Sequence, residues 1–146
     1  MIAWADRPRS GSASLSTYAN SASYFRLSEK FTNPTLFGTS ISPYDIIQGQ
    51  ISDCYWITAC SAAGDDIPSR VKGLFVNSAY SSEGLFAINL YIRGKRRVVT
   101  IDDYLPFVNG NLIFNRKTSD ADFWAVLLEK AFAKINGNYE YINWGW

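Results

Sequence analysis

The chain has 146 residues with a formal net charge of +1, and 47% of its residues are hydrophobic and 16% aromatic. This composition excludes a disordered chain, and so small a net charge gives no reason to expect a nucleic-acid partner. The chain contains no histidine, which excludes a self-contained Ser-His-Asp or Cys-His site and a histidine-liganded zinc ion.

Cysteine content and hydropathy indicate an intracellular protein. Two cysteines, Cys54 and Cys60, are too few for a disulfide scaffold and lack the CxxC spacing of a redox motif. No apolar run approaches the ~20 residues of a membrane span, and the N-terminus lacks the long apolar segment of a secretory signal. We therefore expect an intracellular, cytoplasmic protein without a membrane span.

The first 24 residues predict an extended N-terminal arm. Six serines lie between Ser10 and Ser23, and the segment has little apolar surface to bury. A transit peptide has a similar composition, so mitochondrial targeting is the alternative to a cytoplasmic location. Residues 25–146 are predicted to form one globular domain.

Two helices are predicted next along the chain. Residues 53–63 are mostly small or apolar, which predicts a buried helix with Ser52 or Asp53 as its N-cap and Gly64 as its end. Residues 67–74 predict a short second helix.

Strands are predicted in the second half of the chain. Residues 85–93 and 97–101 are rich in β-forming side chains and flank Gly94, which predicts a β-hairpin. Pro106 is expected to break the strand that follows, and residues 112–114 predict a short third strand.

A long helix over about residues 119–136 is the last predicted element. Ser119 fits its N-cap, Asp120 and Asp122 suit the positive end of its dipole, and Gly137 ends it. Helices together with a small antiparallel sheet predict an α+β fold.

Cys54 is the strongest candidate for a reactive residue in this sequence, because it lies at the start of the first predicted helix. Unpaired N–H groups and the helix dipole stabilise a thiolate there. The Cys54 N–H and the side-chain amide of Gln48 are placed to hold an oxyanion. The alternative is a buried structural cysteine, which is the role predicted for Cys60.

Three ordered motifs resemble the calpain cysteine protease core. Residues 48–56 are similar to the family's Q-G-x-x-G-D-C-W signature, residues 99–106 to its V-x-(I/V)-D-D-x-L-P segment, and residues 123–137 to its F-W-x-x-L-L-E-K-A-(Y/F)-A-K-x-x-G helix. Within the first motif, Ser52 replaces a Gly and Tyr55 a Trp. A Gly at position 52 adopts positive φ freely, whereas Ser does so at a cost.

The resemblance implies a papain-like fold and an endopeptidase that acts on protein substrates. By position, Cys54 matches the family's nucleophile and Gln48 its oxyanion-hole glutamine. The family's His and Asn come from a second lobe, so we expect this chain to be the first lobe and inactive alone. The alternative is a non-catalytic, calpain-like structural or interaction subunit of a larger assembly. The changes at Ser52 and Tyr55 fit that alternative.

The resemblance also implies a Ca²⁺ site in this lobe. The carboxylates of Asp45 and Asp122 and the carbonyls of Gly38 and Ser40 match the positions of its ligands, and oxygen ligands from loops suit Ca²⁺. The structural alternatives are a turn residue for Asp45 and a helix-start acid for Asp122.

Two further charged clusters have structural interpretations. Asp102 and Asp103 are neighbours at a strand end and point to opposite faces, so they do not form an acid/base pair. The basic residues Arg93, Lys95, Arg96 and Arg97 predict a solvated turn, with contact to a membrane surface or a nucleic acid as the alternative.

Overall fold

A computed structural model describes residues 21–115 and 121–144 of the chain, which form helices and two small antiparallel sheets. The predicted α+β class is confirmed, and residues 1–20 of the predicted N-terminal arm lie outside the described residues. The elements are β1 (Ser23–Arg26), α1 (Leu27–Lys30), a 3₁₀ turn (Pro43–Asp45), α2 (Cys54–Asp66), α3 (Pro68–Leu74), β2 (Leu85–Ile92), β3 (Lys95–Asp102), β4 (Tyr104–Val108), β5 (Asn111–Leu112), α4 (Trp124–Asn136) and α5 (Tyr139–Ile142).

The predicted hairpin is confirmed as β2 and β3. The two strands pair from Leu85 opposite Asp102 to Ile92 opposite Lys95. Between them, Arg93 and Gly94 have φ values of 52° and 74°, which is the backbone of the tight turns that match the twist of a hairpin.

The second sheet has the strand order β1-β4-β5, and it corrects the prediction that Pro106 breaks the chain's strand. Pro106 lies inside β4, opposite Tyr24 of β1. Its carbonyl accepts from Ile113 N at 3.3 Å. In a β-strand the N–H and the carbonyl of one residue point to the same side, so the N–H that Pro106 lacks would also face Ile113. The two-residue β5 has already ended there.

Helix α2 begins at Cys54 as predicted but continues past Gly64 to Asp66. Gly64 does not end the helix. It is buried beside Ile41 and Trp124, where an added Cβ would make ordinary contacts at 3.5 and 3.6 Å. Only Cys60 and Gly64 of α2 are buried, so the helix that was predicted to be buried is covered on one side only. The predicted second helix is confirmed as α3.

Helix α4 is deeply buried: every residue from Trp124 to Ala131 is buried. It begins at Trp124, later than the predicted start, and Ser119 and Asp120 lie outside the described residues. Ala121 has φ 52° and Asp122 forms a bridge with Thr35, so the segment before the helix is not helical.

Among the described residues, no helix is long and apolar enough to cross a membrane.

The buried side chains form two clusters. The larger one lies between the helices and the sheets. The smaller one, here called the loop cluster, consists of Ile51, Ile113, Phe114, Ala133, Tyr139 and Ile142. It joins the segment before α2 to the end of the described chain.

Candidate active site

Cys54 is exposed and is the first residue of α2. The N-cap position is Asp53, but its side chain makes no capping hydrogen bond, so the predicted cap is present in position only. The Cys54 carbonyl accepts from Thr58 Oγ1 at 2.7 Å. The thiol therefore stands at the open N-terminal end of a helix, where the dipole favours negative charge.

Gln48 is exposed and belongs to the loop that leads into α2. Its Nε2 donates to the carbonyl of Ile51 at 2.8 Å. Ile51 is buried in the loop cluster, so this bond ties the carboxamide to a fixed part of the loop.

The loop between Gln48 and Cys54 lies directly against the segment at residues 113–114. Gln50 N donates to Ile113 O at 2.8 Å. A Cβ added at Gly49 would lie 1.8 Å from Phe114 O, so no other residue fits there without movement of the backbone. This close approach explains why a glycine follows Gln48.

The two departures from the family signature are accommodated locally. Among the described non-glycine residues with positive φ, Ser52 is absent, so its side chain causes no backbone strain. Tyr55 directs its hydroxyl to the carbonyl of Ile142 at 3.1 Å. Trp56 stacks on Phe132 of α4 with ring centroids 3.8 Å apart.

Two carboxyl groups, those of Asp53 and Glu129, are buried together next to the start of α2, and both residues are 0% exposed. Asn115 N donates to Glu129 Oε2 at 3.0 Å. No described residue donates a hydrogen bond to Glu129 Oε1 or to either oxygen of Asp53. Both acids stand in the motifs that the sequence analysis matched, but a motif match does not show that Asp53 and Glu129 are buried together.

Burial raises the pKa of Asp53. Burial and the adjacent Asp53 charge raise the pKa of Glu129 well above its ordinary value. A protonated carboxyl can donate as well as accept, so a proton held by the pair supplies the donor that the surroundings lack.

Cys60 has the structural role predicted for it. It is buried, and burial, with the charges of Glu129 and Asp53, raises the pKa of its thiol to about 12. The two cysteines of α2 thus differ in exposure and surroundings, which makes Cys60 an internal control for Cys54.

The residues predicted to bind calcium lie on two segments that the structure joins. Trp124 Nε1 donates to Asp45 Oδ2 at 3.2 Å, and Ser42 N donates to the same oxygen at 2.6 Å. Asp122 lies two residues before Trp124 and is buried. The structure therefore brings the Asp45 loop to the start of α4.

Gly38 and Ser40, the predicted carbonyl donors, lie in the loop between Thr35, which forms a bridge with Asp122, and the 3₁₀ turn that contains Asp45. The Gly38 N–H donates to Thr35 Oγ1 at 3.1 Å, and Thr35 N donates to Ala121 O at 3.0 Å. Ser40 is exposed, and none of the described contacts joins it to either aspartate. The described residues contain no cluster of three or more acidic, Cys or His side chains, so a cation site here depends on backbone oxygens.

Asp102 and Asp103 point to opposite faces, as predicted. Asp102 Oδ1 accepts from Lys130 Nζ at 2.7 Å. Asp103 accepts from the hydroxyl of Tyr80 and lies 3.4 Å from Arg26. The basic residues Arg93, Lys95, Arg96 and Arg97 are exposed around the hairpin turn.

The chain matches a family model described as calpain family cysteine protease over residues 9–146. It is 36% identical over 123 residues to calpain-5 of Caenorhabditis elegans, an alignment that covers 79% of this chain and 19% of that protein. It is 35% identical over 124 residues to the calpain-1 catalytic subunit of Sus scrofa, with 82% and 17% covered.

A third relative is the calpain-type cysteine protease DEK1 of Zea mays, which is 30% identical over 113 residues. That alignment covers 77% of this chain and 5% of that protein. The chain thus spans less than a fifth of the length of each of these curated relatives.

Proposed function

Because the chain belongs to the calpain family of cysteine proteases, we propose that it is the nucleophile-bearing lobe of a calcium-dependent, calpain-type cysteine endopeptidase acting on protein substrates. The observation that carries the proposal is the position of Cys54. Its thiol is exposed at the first residue of α2, directly after a loop that is held in place.

In the proposed reaction, the Cys54 thiolate attacks the carbonyl carbon of the scissile peptide bond. The Cys54 N–H is among the first N–H groups of a helix, which have no acceptor within the helix, and it donates to the developing oxyanion. Gln48 Nε2 carries two hydrogens and gives one to Ile51 O. The second is left for the oxyanion, and one such donor lowers the barrier by about 3 kcal/mol.

The proposed general base is a histidine, and it comes from outside these 146 residues, which contain none. Acyl transfer needs a group that takes the thiol proton and returns it to the leaving amine. We propose that a second lobe supplies a His and an orienting Asn. The half-exposed helix α2 supports this, because its uncovered side lies beside Cys54, where such a lobe would pack.

The chain alone is therefore expected to hydrolyse no peptide. Purified residues 1–146 are incubated with a fluorogenic peptide and Ca²⁺, and the rate is compared with that of Cys54→Ala. Equal background rates support the proposal. Turnover that the alanine variant abolishes would show that the chain carries its own proton acceptor.

The alternative is a non-catalytic calpain-like subunit of a larger assembly. Trp144, which is 73% exposed, favours it, since Trp is enriched among the residues that a partner covers at protein interfaces. Iodoacetamide labelling near neutral pH separates the two functions. A nucleophile predicts that Cys54 reacts faster than the thiol of the urea-unfolded chain while Cys60 stays slow. A purely structural Cys54 reacts no faster than the unfolded thiol.

We further propose that Asp45 and Asp122, with the carbonyls of Gly38 and Ser40, hold the Ca²⁺ ion. Hard oxygen ligands from loops suit the large shell of this ion. The link from Asp45 to Trp124 supports the proposal, because it brings the two carboxylate-bearing segments together. Bound there, Ca²⁺ would fix the loop before Gln48 relative to the start of α4.

Calorimetric titration tests the calcium site. Binding is expected in the unaltered chain and is expected to be lost in Asp45→Ala, because a removed carboxylate ligand cannot be replaced by its neighbours. Asp66→Ala, which alters an exposed acid at the far end of α2, is the matched control and should bind as the unaltered chain does. Equal binding in both variants would reject the site.

A further inference from the structure

The end of the described chain binds the loop in front of Cys54 through its backbone. Ser52 N donates to Asn143 Oδ1 at 2.8 Å, and Trp144 N donates to Ser52 O at 2.9 Å. Both backbone polar groups of Ser52 are therefore used by two consecutive residues that lie about ninety positions away in the chain.

The same end of the chain is itself firmly anchored. Ile142 and Ile51 are both buried in the loop cluster. Tyr139 stacks on Phe114 with ring centroids 3.9 Å apart, and Asn138 caps α5 by accepting from Tyr141 N. Asn143 and Trp144 thus extend from a packed element, so their bonds to Ser52 transmit a fixed position.

The backbone of Trp144 shows that this arrangement is held against a local preference. Its φ is 63°, a left-handed conformation that costs a bulky residue energy. The side chain is 73% exposed, so packing of the ring gives little in return. The contact that accompanies the strained conformation is the bond from Trp144 N to Ser52 O.

We propose that Asn143 and Trp144 form a clamp that positions the loop from Gln48 to Cys54. The segment at residues 113–114 holds the loop at Gly49 and Gln50, and the clamp holds it at Ser52. Both are positioning residues, because neither contacts the thiol in the described contacts. The clamp rests on the proposed function only for the consequence it has at Cys54.

Hydrogen exchange of the Ser52 amide, followed by NMR on the 146-residue chain, reads the clamp directly. Asn143→Ala removes the acceptor and is expected to accelerate exchange about tenfold. Asn143→Asp retains an oxygen at the same place and is expected to restore protection. Trp144→Gly keeps the N–H and adopts positive φ freely, so it should leave Ser52 protected, whereas Trp144→Pro should expose it.

Iodoacetamide labelling reads the consequence for the nucleophile. In Asn143→Ala, the Cys54 rate is expected to fall to that of the urea-unfolded chain, and Asn143→Asp is expected to recover it. Slow labelling of Cys60 verifies that each variant is folded, and if the proline variant unfolds, Asn143→Ala decides alone. If the proposed function fails, Cys54 of the unaltered chain will itself be labelled no faster than the thiol of the unfolded chain. That outcome is distinct from a failure of the clamp.

The clamp would be overturned by Ser52 exchange that is unchanged in Asn143→Ala. It would also be overturned by equal loss of protection in Asn143→Ala and Asn143→Asp, because the side chain would then act through its shape and not as an acceptor.

Discussion

Glu129 and Lys130 are consecutive residues of α4, and both are buried, but their surroundings differ in sign. On the sheet side, Lys130 Nζ donates to Asp102 Oδ1 at 2.7 Å and to Tyr104 O at 2.5 Å. On the side of Cys54, Glu129 lies next to another acid, Asp53, and one backbone N–H donates to it.

The difference separates a site built for stability from one that is not. A buried charge that is paired and hydrogen-bonded is tolerated, whereas two carboxyls buried together raise each other's cost. Uncompensated groups of the second kind concentrate at functional sites. In this chain the costly pair lies beside Cys54, and the compensated pair lies on another face of the same helix.

Loss of the compensated pair is expected to have the largest effect. Lys130→Met keeps the length of the side chain but leaves Asp102 and Tyr104 O without their donor, so the free energy of unfolding should fall by about 2–3 kcal/mol. Lys134→Met is the matched control, since Lys134 is half-buried and donates to the single carbonyl of Thr100. Urea denaturation measures both. Equal, small losses would remove the contrast between the two faces.

Much of this fold follows from patterns in the sequence. The hairpin is predictable because Gly94 between two β-rich runs favours a tight turn. Helix α2 is predictable because small and apolar residues follow the cysteine at which it begins. The boundaries of α4 and β4 do not follow, because Ala121 takes a left-handed conformation and Pro106 is tolerated beside a strand that has ended. Those outcomes depend on neighbours distant in the chain.

The site shows the same division. Gln48 and Cys54 are recognisable because their spacing is local and chemically specific. The contact from Asn143 to Ser52 joins residues far apart in the chain, and no local pattern encodes it. Glu129 is intermediate: an acid in an apolar helix is visible in the sequence, but its partner Asp53 is fixed by packing.

Removal of one ionisable group from the costly pair is expected to stabilise the protein. Glu129→Gln keeps an acceptor for Asn115 N and removes the ionisable group, so the free energy of unfolding should rise by about 1–2 kcal/mol near pH 7. The pKa of Glu129 is raised by burial and by Asp53. The native state therefore holds the proton to higher pH than the unfolded state does.

The sign of the pH dependence follows from that difference. In the unaltered chain, the stability contributed by a protonated Glu129 is complete below its ordinary pKa of about 4.3. It is lost as pH rises through the raised value. Urea titrations from pH 4 to 8, a window set around that ordinary pKa, should show a declining stability that flattens in Glu129→Gln. An unchanged slope in that variant would mean that the pair is not the source of the decline.

The corresponding acid-to-amide substitution on the sheet side is expected to lower the free energy of unfolding, and by a smaller amount. The side chain of Asp102 is 36% exposed, so water screens its charge and shares its hydration. Asp102→Asn keeps an oxygen for Lys130 Nζ but removes the opposite charge from a buried ammonium group, which should lower the free energy of unfolding by about 0.5–1 kcal/mol. Stabilisation by Glu129→Gln together with destabilisation by Asp102→Asn, measured in the same buffer, would show that the two faces of α4 differ in charge compensation and not in packing. Destabilisation of similar size in both variants would instead mean that each acid stabilises its own side of the helix, and the contrast would fail.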